Sequence, residues 1–263
     1  MLSACLAGVL LMLAPFSGAR AAEPAFRGVD VARGSRVGIV ALLSPEVTNV
    51  HLGLTVFGTY DRRFANDWHL DQRAIDLTRR LLEEAGYQAV DIALPAPQMD
   101  AIRDEDDQTR LNYSGLTRGW TQTYQDILDK NQLEALVVLR EEKRAVAGGH
   151  GPSYHGYGIV SVNGRIPDVA SLFVSTTADV IGGRPVHRSI GVCYGAAPLE
   201  PSLIHVDNFA DITLADLEPI RPKLEELLDK RIRFELASAG LLHEAVPCIV
   251  PNFPRPPFAP RKK

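Results

Sequence analysis

The sequence lacks the motifs that mark the common enzyme classes. It contains no Gly-x-Ser-x-Gly nucleophile elbow, no His-Glu-x-x-His zinc motif and no Ser-x-x-Lys at the start of a helix. It also lacks a basic stripe with interleaved aromatic residues, and its formal net charge is -4. These absences argue against a nucleic-acid partner and leave catalysis without a standard motif to support it.

Long apolar runs are absent after the first 21 residues. Residues 6–16 are apolar, but this run is shorter than a membrane-spanning helix and matches the central region of a signal peptide. Ala19 and Ala21 then form a small-x-small cleavage pattern. The sequence therefore predicts a signal peptide over residues 1–21, a flexible N-terminus over residues 22–33, and a periplasmic or secreted protein without a transmembrane segment after cleavage.

Cysteine is scarce, with 3 residues in the whole chain. Cys5 precedes the apolar run, whereas a lipidated cysteine follows one, so lipid attachment is disfavoured. Removal of the leader leaves Cys193 and Cys248, and an oxidising compartment favours a disulfide between them. Two separate buried thiols are the alternative.

The first half of the chain predicts a strand–hairpin–helix–strand unit. Residues 36–43 form a short apolar run, residues 48–57 are rich in β-branched types, and residues 58–63 turn the chain back. Apolar side chains then recur at helical spacing over residues 68–86, with Asp67 as the predicted N-cap and Gly86 as the left-handed end. A second apolar strand at residues 89–94 makes this unit a βαβ-like crossover onto one sheet.

The second half predicts more strands and a final helix. Buried strands are expected at residues 133–139, 157–162 and 170–181, a hairpin at residues 178–187, and a solvent-exposed exit at residues 140–144. Pro219 is the predicted N-cap of the last helix, with Pro222 as its third residue. The predicted fold class is α/β (α+β): one domain over residues 34–242, with a single mixed β-sheet and helices mainly on one face. A Pro-rich tail is expected over residues 243–263.

A glycine- and tyrosine-rich stretch at residues 148–158 holds the candidate binding residues. His150 and His155 are potential metal ligands, and Tyr154 and Tyr157 could form a binding edge. The alternative is a mobile hairpin tip or strand entry, with no helix or strand inside the loop. Two histidines without a third ligand do not make a zinc site, so no metal and no cofactor are expected.

One arrangement suggests catalysis. Gly191, Cys193 and Gly195 form a Gly-x-Cys-x-Gly after a predicted strand, as in some α/β-hydrolases with a cysteine nucleophile. Such an elbow needs a helix directly behind the nucleophile, whose N-terminus helps to activate the thiol. Pro198 and Pro201 disfavour that helix, so a structural cysteine is preferred. A cysteine-dependent hydrolase using Cys193 remains the alternative function.

The order of elements resembles the small envelope domains of the TolB N-terminal and CsgG-like type. The stretches at residues 37–40, 55–57 and 67–68 are also similar to uncharacterised exported bacterial proteins. The resemblance covers residues 34–242 and implies a mixed sheet backed by helices, without catalytic residues. It implies a non-enzymatic envelope or periplasmic protein that binds or scaffolds, with an envelope protein or another cell-envelope component as its partner.

Overall fold

The computed structural model describes residues 29–53, 58–109, 118–142, 144–145, 153–162, 170–184, 186–189, 200–201 and 209–244. The strands in these ranges are β1 Arg36–Leu42, β2 Val47–Leu52, β3 Tyr60–Phe64, β4 Gln88–Asp91, β5 Ala135–Glu141, β6 Arg144–Ala145, β7 Ser153–Tyr154, β8 Gly156–Val162, β9 Ser171–Gly182, β10 His187–Ser189 and β11 Glu200–Pro201. The helices are α1 Leu70–Glu84, α2 Ala96–Thr109, α3 Arg118–Asn131, α4 Leu214–Leu217 and α5 Arg221–Ser238. Short 3₁₀ turns lie at Phe209–Asp211 and Glu218–Ile220.

The main sheet is mixed, which confirms the predicted fold class. Its strands run in the order β3-β2-β8-β9-β5-β1-β4, and β10 and β11 both pair with β9. Strands β1, β4 and β5 are mutually parallel, and β2 is parallel to β8, whereas β9 is antiparallel to both of its long neighbours. β6 and β7 form a separate two-stranded ladder.

The predicted crossover through the first helix is also confirmed. β1 and β4 pair in parallel, with Val37 opposite Ala89, and α1 connects the β2–β3 hairpin to β4. Gly86 ends α1 with a φ of +89°, in the left-handed conformation that favours glycine. The hydrophobic spacing of this region was sufficient to predict its local topology.

β9 is the longest strand and belongs to both halves of the sheet. Its residues 176–182 pair with β5, and its residues 171–175 pair with β8 on the other edge. The chain moves from one half to the other through residues 43–46, which join β1 to β2. We call these four residues the crossing segment.

Side chains of the strands alternate between two hydrophobic layers. On one side, Val37, Ile39 and Val137 pack with the apolar stripes of α1 and α5. On the other side, Val40 and Val138 pack with Tyr124, Ile127 and Leu128 of α3 and with Ile102 of α2. The two longest helices therefore share one face, and α2 and α3 cover part of the opposite face.

The core extends beyond the predicted start of the domain at residue 34. Val29 is 4% exposed and lies in the layer under α1 and α5. Leu241 and Leu242, after the end of α5, are buried in the same layer. The segments before β1 and after α5 thus both pack against the core through apolar side chains.

Two predicted helix starts are wrong in detail. α1 begins at Leu70 with His69 as its N-cap, and Asp67 is not used. The side chain of Asn66 accounts for this later start. It accepts a hydrogen bond from the Trp68 N–H (2.9 Å) and donates one to the Pro45 carbonyl (2.9 Å), which holds the residues before Leu70 outside the helix. Pro219 lies in a 3₁₀ turn, so α5 starts at Arg221 and Pro222 is its second residue, where no intrahelical N–H is needed.

Candidate functional site at the crossing segment

The crossing segment is held by side chains from two strands. The Ser44 N–H donates to Oε1 of Glu141, the last residue of β5, at 3.0 Å. The hydroxyl of Tyr157 in β8 donates to the Ser44 carbonyl. Ser44 therefore has both backbone groups satisfied by side chains at the point where the chain leaves one half of the sheet.

His155 adds an imidazole to this cluster. Its Nδ1 lies 2.5 Å from Oε2 of Glu141, and its side chain is 19% exposed. Gly156 follows it with a φ of +76°, and a Cβ at that position would lie 3.3 Å from Cδ of Glu141. The glycine thus allows the backbone to pass close enough for His155 and Glu141 to meet.

Arg63 of β3 contacts the other imidazole nitrogen. Its Nη2 lies 2.7 Å from Nε2 of His155, and its Nη1 lies 3.7 Å from Oε2 of Glu46. A guanidinium only donates hydrogen bonds, so Nε2 must accept and the proton of the neutral ring must be on Nδ1. The carboxylate of Glu141 orients the ring, as carboxylates orient catalytic and metal-binding histidines, but here Nε2 is already occupied.

The environment fixes the ionisation of two groups in the cluster. Burial alone would raise the pKa of the Glu141 carboxyl, but hydrogen bonds from His155 and the Ser44 N–H, together with the charge of Arg63, hold that pKa below its usual range. Burial, with smaller effects from Asp71, Glu141 and Glu46, raises the pKa of Tyr157 far above its usual value. Glu141 is therefore an anion, and Tyr157 a permanent donor, at neutral pH.

The structure brings together two of the four residues proposed from the glycine- and tyrosine-rich stretch. His155 and Tyr157 both contact this cluster, whereas Tyr154 lies on the opposite face of the sheet, against Phe173, at 4.8 Å between ring centroids. His150, Cys193 and Cys248 lie outside the described residues, so the nucleophile and the disulfide stay predictions. The expectation that this loop lacks regular structure is wrong: it contains β7 and the start of β8, and Gly156 and Gly158 take positive φ values there.

Glu141 is the site residue that sequence reasoning missed. Residues 140–144 were expected to leave the sheet into solvent, but Arg140 is 9% exposed and the side chain of Glu141 is 18% exposed. The signal was the strand alternation, because residues 135, 137 and 139 are fully buried on one face and residue 141 continues that series. No sequence pattern pointed to Arg63, because it lies in the β2–β3 hairpin, 92 residues before His155 in the chain.

A second polar site lies between α1 and α5. We call it the α1–α5 groove: a cavity of about 360 Å³ lined by Trp68, His69, Gln72, Arg73, Asp76, Leu77, Arg80, Arg221, Glu225 and Asp229. Trp68 and Leu77 are 3% and 5% exposed and supply its apolar part. Its other lining residues are polar or charged.

Ion pairs cross the α1–α5 groove. Arg73 donates from Nε and Nη2 to the two carboxylate oxygens of Asp229 at 2.8 and 2.6 Å, and its Nη1 lies 3.4 Å from Glu225. Arg221 donates to the same Glu225 at 3.0 Å. The hydrogen bonds with Asp229 raise the pKa of Arg73. The groove therefore carries both signs of charge, and its Arg73 and Arg221 are already paired with Glu225 and Asp229.

One end of the groove has unusual backbone geometry. His69 has a φ of +51°, in a left-handed conformation that non-glycine residues rarely adopt, and its side chain is exposed. The indole N–H of its neighbour Trp68 donates to Glu218 at 2.8 Å. This hydrogen bond fixes the orientation of the buried indole, which lines the groove.

A serine–histidine pair also occurs on the parallel strands β2 and β8. Nδ1 of His51 lies 2.7 Å from Oγ of Ser161, and the ring of Tyr60 stacks on His51 with 5.1 Å between centroids. Ser161 is only 4% exposed, so its hydroxyl is not open to a substrate. The pair links two strands, and its serine is shielded from solvent.

Two further site types are absent from the described part of the chain. There, no group of three histidine, cysteine, aspartate or glutamate residues is placed to hold a metal ion. Among the same residues, none of the helices combines the length and the apolar character needed to cross a bilayer. No protein-family model, curated protein or solved structure matches this chain.

Proposed function

We propose that this chain is an exported, non-enzymatic binding or scaffolding protein of the cell envelope, and that it binds its partner at the α1–α5 groove. The observation that carries the proposal is the groove itself. Its volume of about 360 Å³ lies within the range of ligand sites in proteins, which is roughly 300–1,000 Å³.

The lining of the groove favours a polypeptide segment as the ligand. Arg73, Arg221 and Arg80 offer guanidinium groups, and Asp76, Glu225 and Asp229 offer carboxylates, around a partly apolar base. A peptide that carries charges of both signs can replace these intramolecular pairs with intermolecular ones. Because the existing pairs are 24–40% exposed, their exchange costs little free energy.

The cluster at the crossing segment supports a non-enzymatic role. A histidine that acts as a general base needs a free nitrogen directed at its substrate. In His155, one nitrogen contacts Glu141 and the other contacts Arg63. These contacts stabilise the junction between β5, β8 and the edge strand β3.

The export part of the proposal rests on the leader over residues 1–21 and on the resemblance to envelope domains. Both support a mature chain in the periplasm or outside the cell, with an envelope protein or envelope component as its partner. The disulfide between Cys193 and Cys248 belongs to the same proposal, because it needs an oxidising compartment.

Site-specific photo-crosslinking in intact cells tests the groove. A photoreactive amino acid at Gln72, an exposed residue of the groove, is expected to give a discrete crosslinked product in the periplasmic fraction. The matched control is the same substitution at Asp126, which is exposed on α3 at the opposite face of the sheet. Equal crosslinking from both positions, or none from Gln72, would contradict binding at the groove.

A further inference from the structure

The contact between His155 and Arg63 depends on the charge of the imidazole. Nη2 of Arg63 and Nε2 of His155 are 2.7 Å apart, and only the histidine nitrogen can accept the hydrogen bond. The observed arrangement therefore requires the neutral ring with its proton on Nδ1. A proton on Nε2 would place two cations in direct contact and remove the acceptor.

The two partners of His155 respond differently to that proton. Glu141 is a buried carboxylate that also holds the Ser44 N–H, and its attraction to the ring increases when the ring becomes positive. Arg63 is 38% exposed and already lies near a second carboxylate, Glu46. When the ring is protonated, His155 therefore keeps its contact with Glu141 and loses its contact with Arg63.

A replacement partner is present on the same strand. Oδ2 of Asp61 lies 4.0 Å from Nε2 of His155. Asp61 and Arg63 are two residues apart in β3, so their side chains share one face of the strand. Small side-chain rotations are enough to exchange one for the other.

Other titratable groups of the described residues also surround the ring. Glu141 comes from β5, Glu46 from the crossing segment, and Tyr157 from β8, where its hydroxyl is a permanent donor to Ser44. Asp71 of α1 acts on Tyr157 from below the cluster. Among these groups of the described residues, carboxylates outnumber cations, so they tolerate a protonated His155 once Arg63 has moved.

We propose that His155 is a proton-dependent switch at the edge of the sheet: the neutral ring holds Arg63, and the protonated ring releases Arg63 and binds Asp61. The switch changes the face that β3 presents, because acidification buries the charge of Asp61 and frees a guanidinium. The switch does not involve the α1–α5 groove, so its tests are independent of those of the proposed binding function.

The first test uses the unsubstituted chain. Imidazole ¹⁵N chemical shifts distinguish the two neutral tautomers of histidine, and neutral His155 is expected to carry its proton on Nδ1. The backbone amides of residues 61–63 are expected to shift together with the His155 ring signals as the solution is acidified. A neutral ring protonated on Nε2 would overturn the switch.

The second test removes the proton acceptor. In His155→Gln, the side chain can still contact Glu141 and Arg63, but the pH-dependent shift of the β3 amides is expected to be lost. His51→Gln is the matched control, because His51 also contacts β3, through Tyr60, and its loss is expected to leave the shift intact. A shift that persists in His155→Gln, or that disappears in His51→Gln alone, would assign the pH response elsewhere.

Discussion

Arg73 of α1 and Asp229 of α5 form a two-point hydrogen-bonded ion pair, with N–O distances of 2.8 and 2.6 Å. The pair joins residues that are 156 positions apart in the sequence. Both residues line the α1–α5 groove, so the pair connects the two longest helices there.

A double-mutant cycle should measure this pair. Since both side chains are about one-third exposed, we expect a coupling free energy of roughly 0.5–1 kcal/mol between Arg73→Ala and Asp229→Ala, measured by urea denaturation. Arg80 and Glu84 are the control, because they are 3.9 Å apart and more than 60% exposed, so their coupling should be close to zero. Equal coupling in the two cycles would show that the two-point geometry adds nothing.

Gly158 should not tolerate a side chain. Its φ is +154°, and a Cβ would lie 1.9 Å from the carbonyl oxygen of Thr48 in the paired strand β2. Gly158→Ala should therefore lower the free energy of unfolding by about 3 kcal/mol or more. Gly240→Ala is the comparison: its φ is +84° and no atom lies within 4 Å of the added Cβ, so a cost of only about 1 kcal/mol is expected. Similar losses in both variants would contradict the close approach of β2 and β8.

The stability of the domain should fall in acid partly through Glu141. Its pKa is lowered in the folded protein, so the unfolded chain takes up the proton at a higher pH than the folded chain. The stabilising contribution is complete above the ordinary carboxyl pKa of 4.5 and is lost as the pH falls through the lower, folded value.

Glu141→Gln is the variant that isolates this contribution. It should reduce the free energy of unfolding by about 1–2 kcal/mol at pH 7, and the difference from the unsubstituted chain should shrink below pH 4.5. Asp76→Asn removes a carboxylate that is 57% exposed, and should change stability by less than about 0.5 kcal/mol. A difference for Glu141→Gln that does not vary with pH would argue against an ionised Glu141 as its source.

Cleavage of the leader should be visible by mass. The exported protein is expected to begin at or near Ala22, because the apolar run precedes a small-x-small site. Intact-mass spectrometry of the periplasmic fraction gives the new N-terminus directly. A lipid-modified Cys5, or an uncleaved cytoplasmic product, would remove the basis for both the localisation and the disulfide.

The thiols of the mature chain should be absent under oxidising conditions. A bridge between Cys193 and Cys248 predicts no free thiol by Ellman titration of the denatured, unreduced protein. It also predicts a mass about two units below that of the reduced form, and by the chain-entropy estimate it stabilises the fold by about 4 kcal/mol. Two titratable thiols per chain would support separate buried cysteines instead.

The local elements of the fold could be predicted because their signals are local. Apolar spacing predicted α1, and turn residues predicted the hairpin of β9 and β10, in which His187 pairs with Gly182. The two helix starts were missed by one and two residues, because side chains from outside the helix, such as Asn66, influence where the helix begins.

The candidate site could be predicted only in part, because it depends on long-range pairing. His155 and Tyr157 stood out through their glycine neighbours, but their partners Glu141 and Arg63 come from β5 and β3. A one-residue change in the β2–β3 register would turn Arg63 to the opposite face of the sheet. Composition does not specify that register. It also does not predict that Arg73 pairs with Asp229.

The position of β9 in the chain has a consequence for the order of folding. Residues 171–182 are the central strand for both halves of the sheet, yet they lie in the last 40% of the sequence. While the chain is made from its N-terminus, the β4-β1-β5 half and the β2–β3 hairpin are complete before the strand that joins the two halves of the sheet. The two halves of the sheet therefore cannot join until most of the polypeptide has been made.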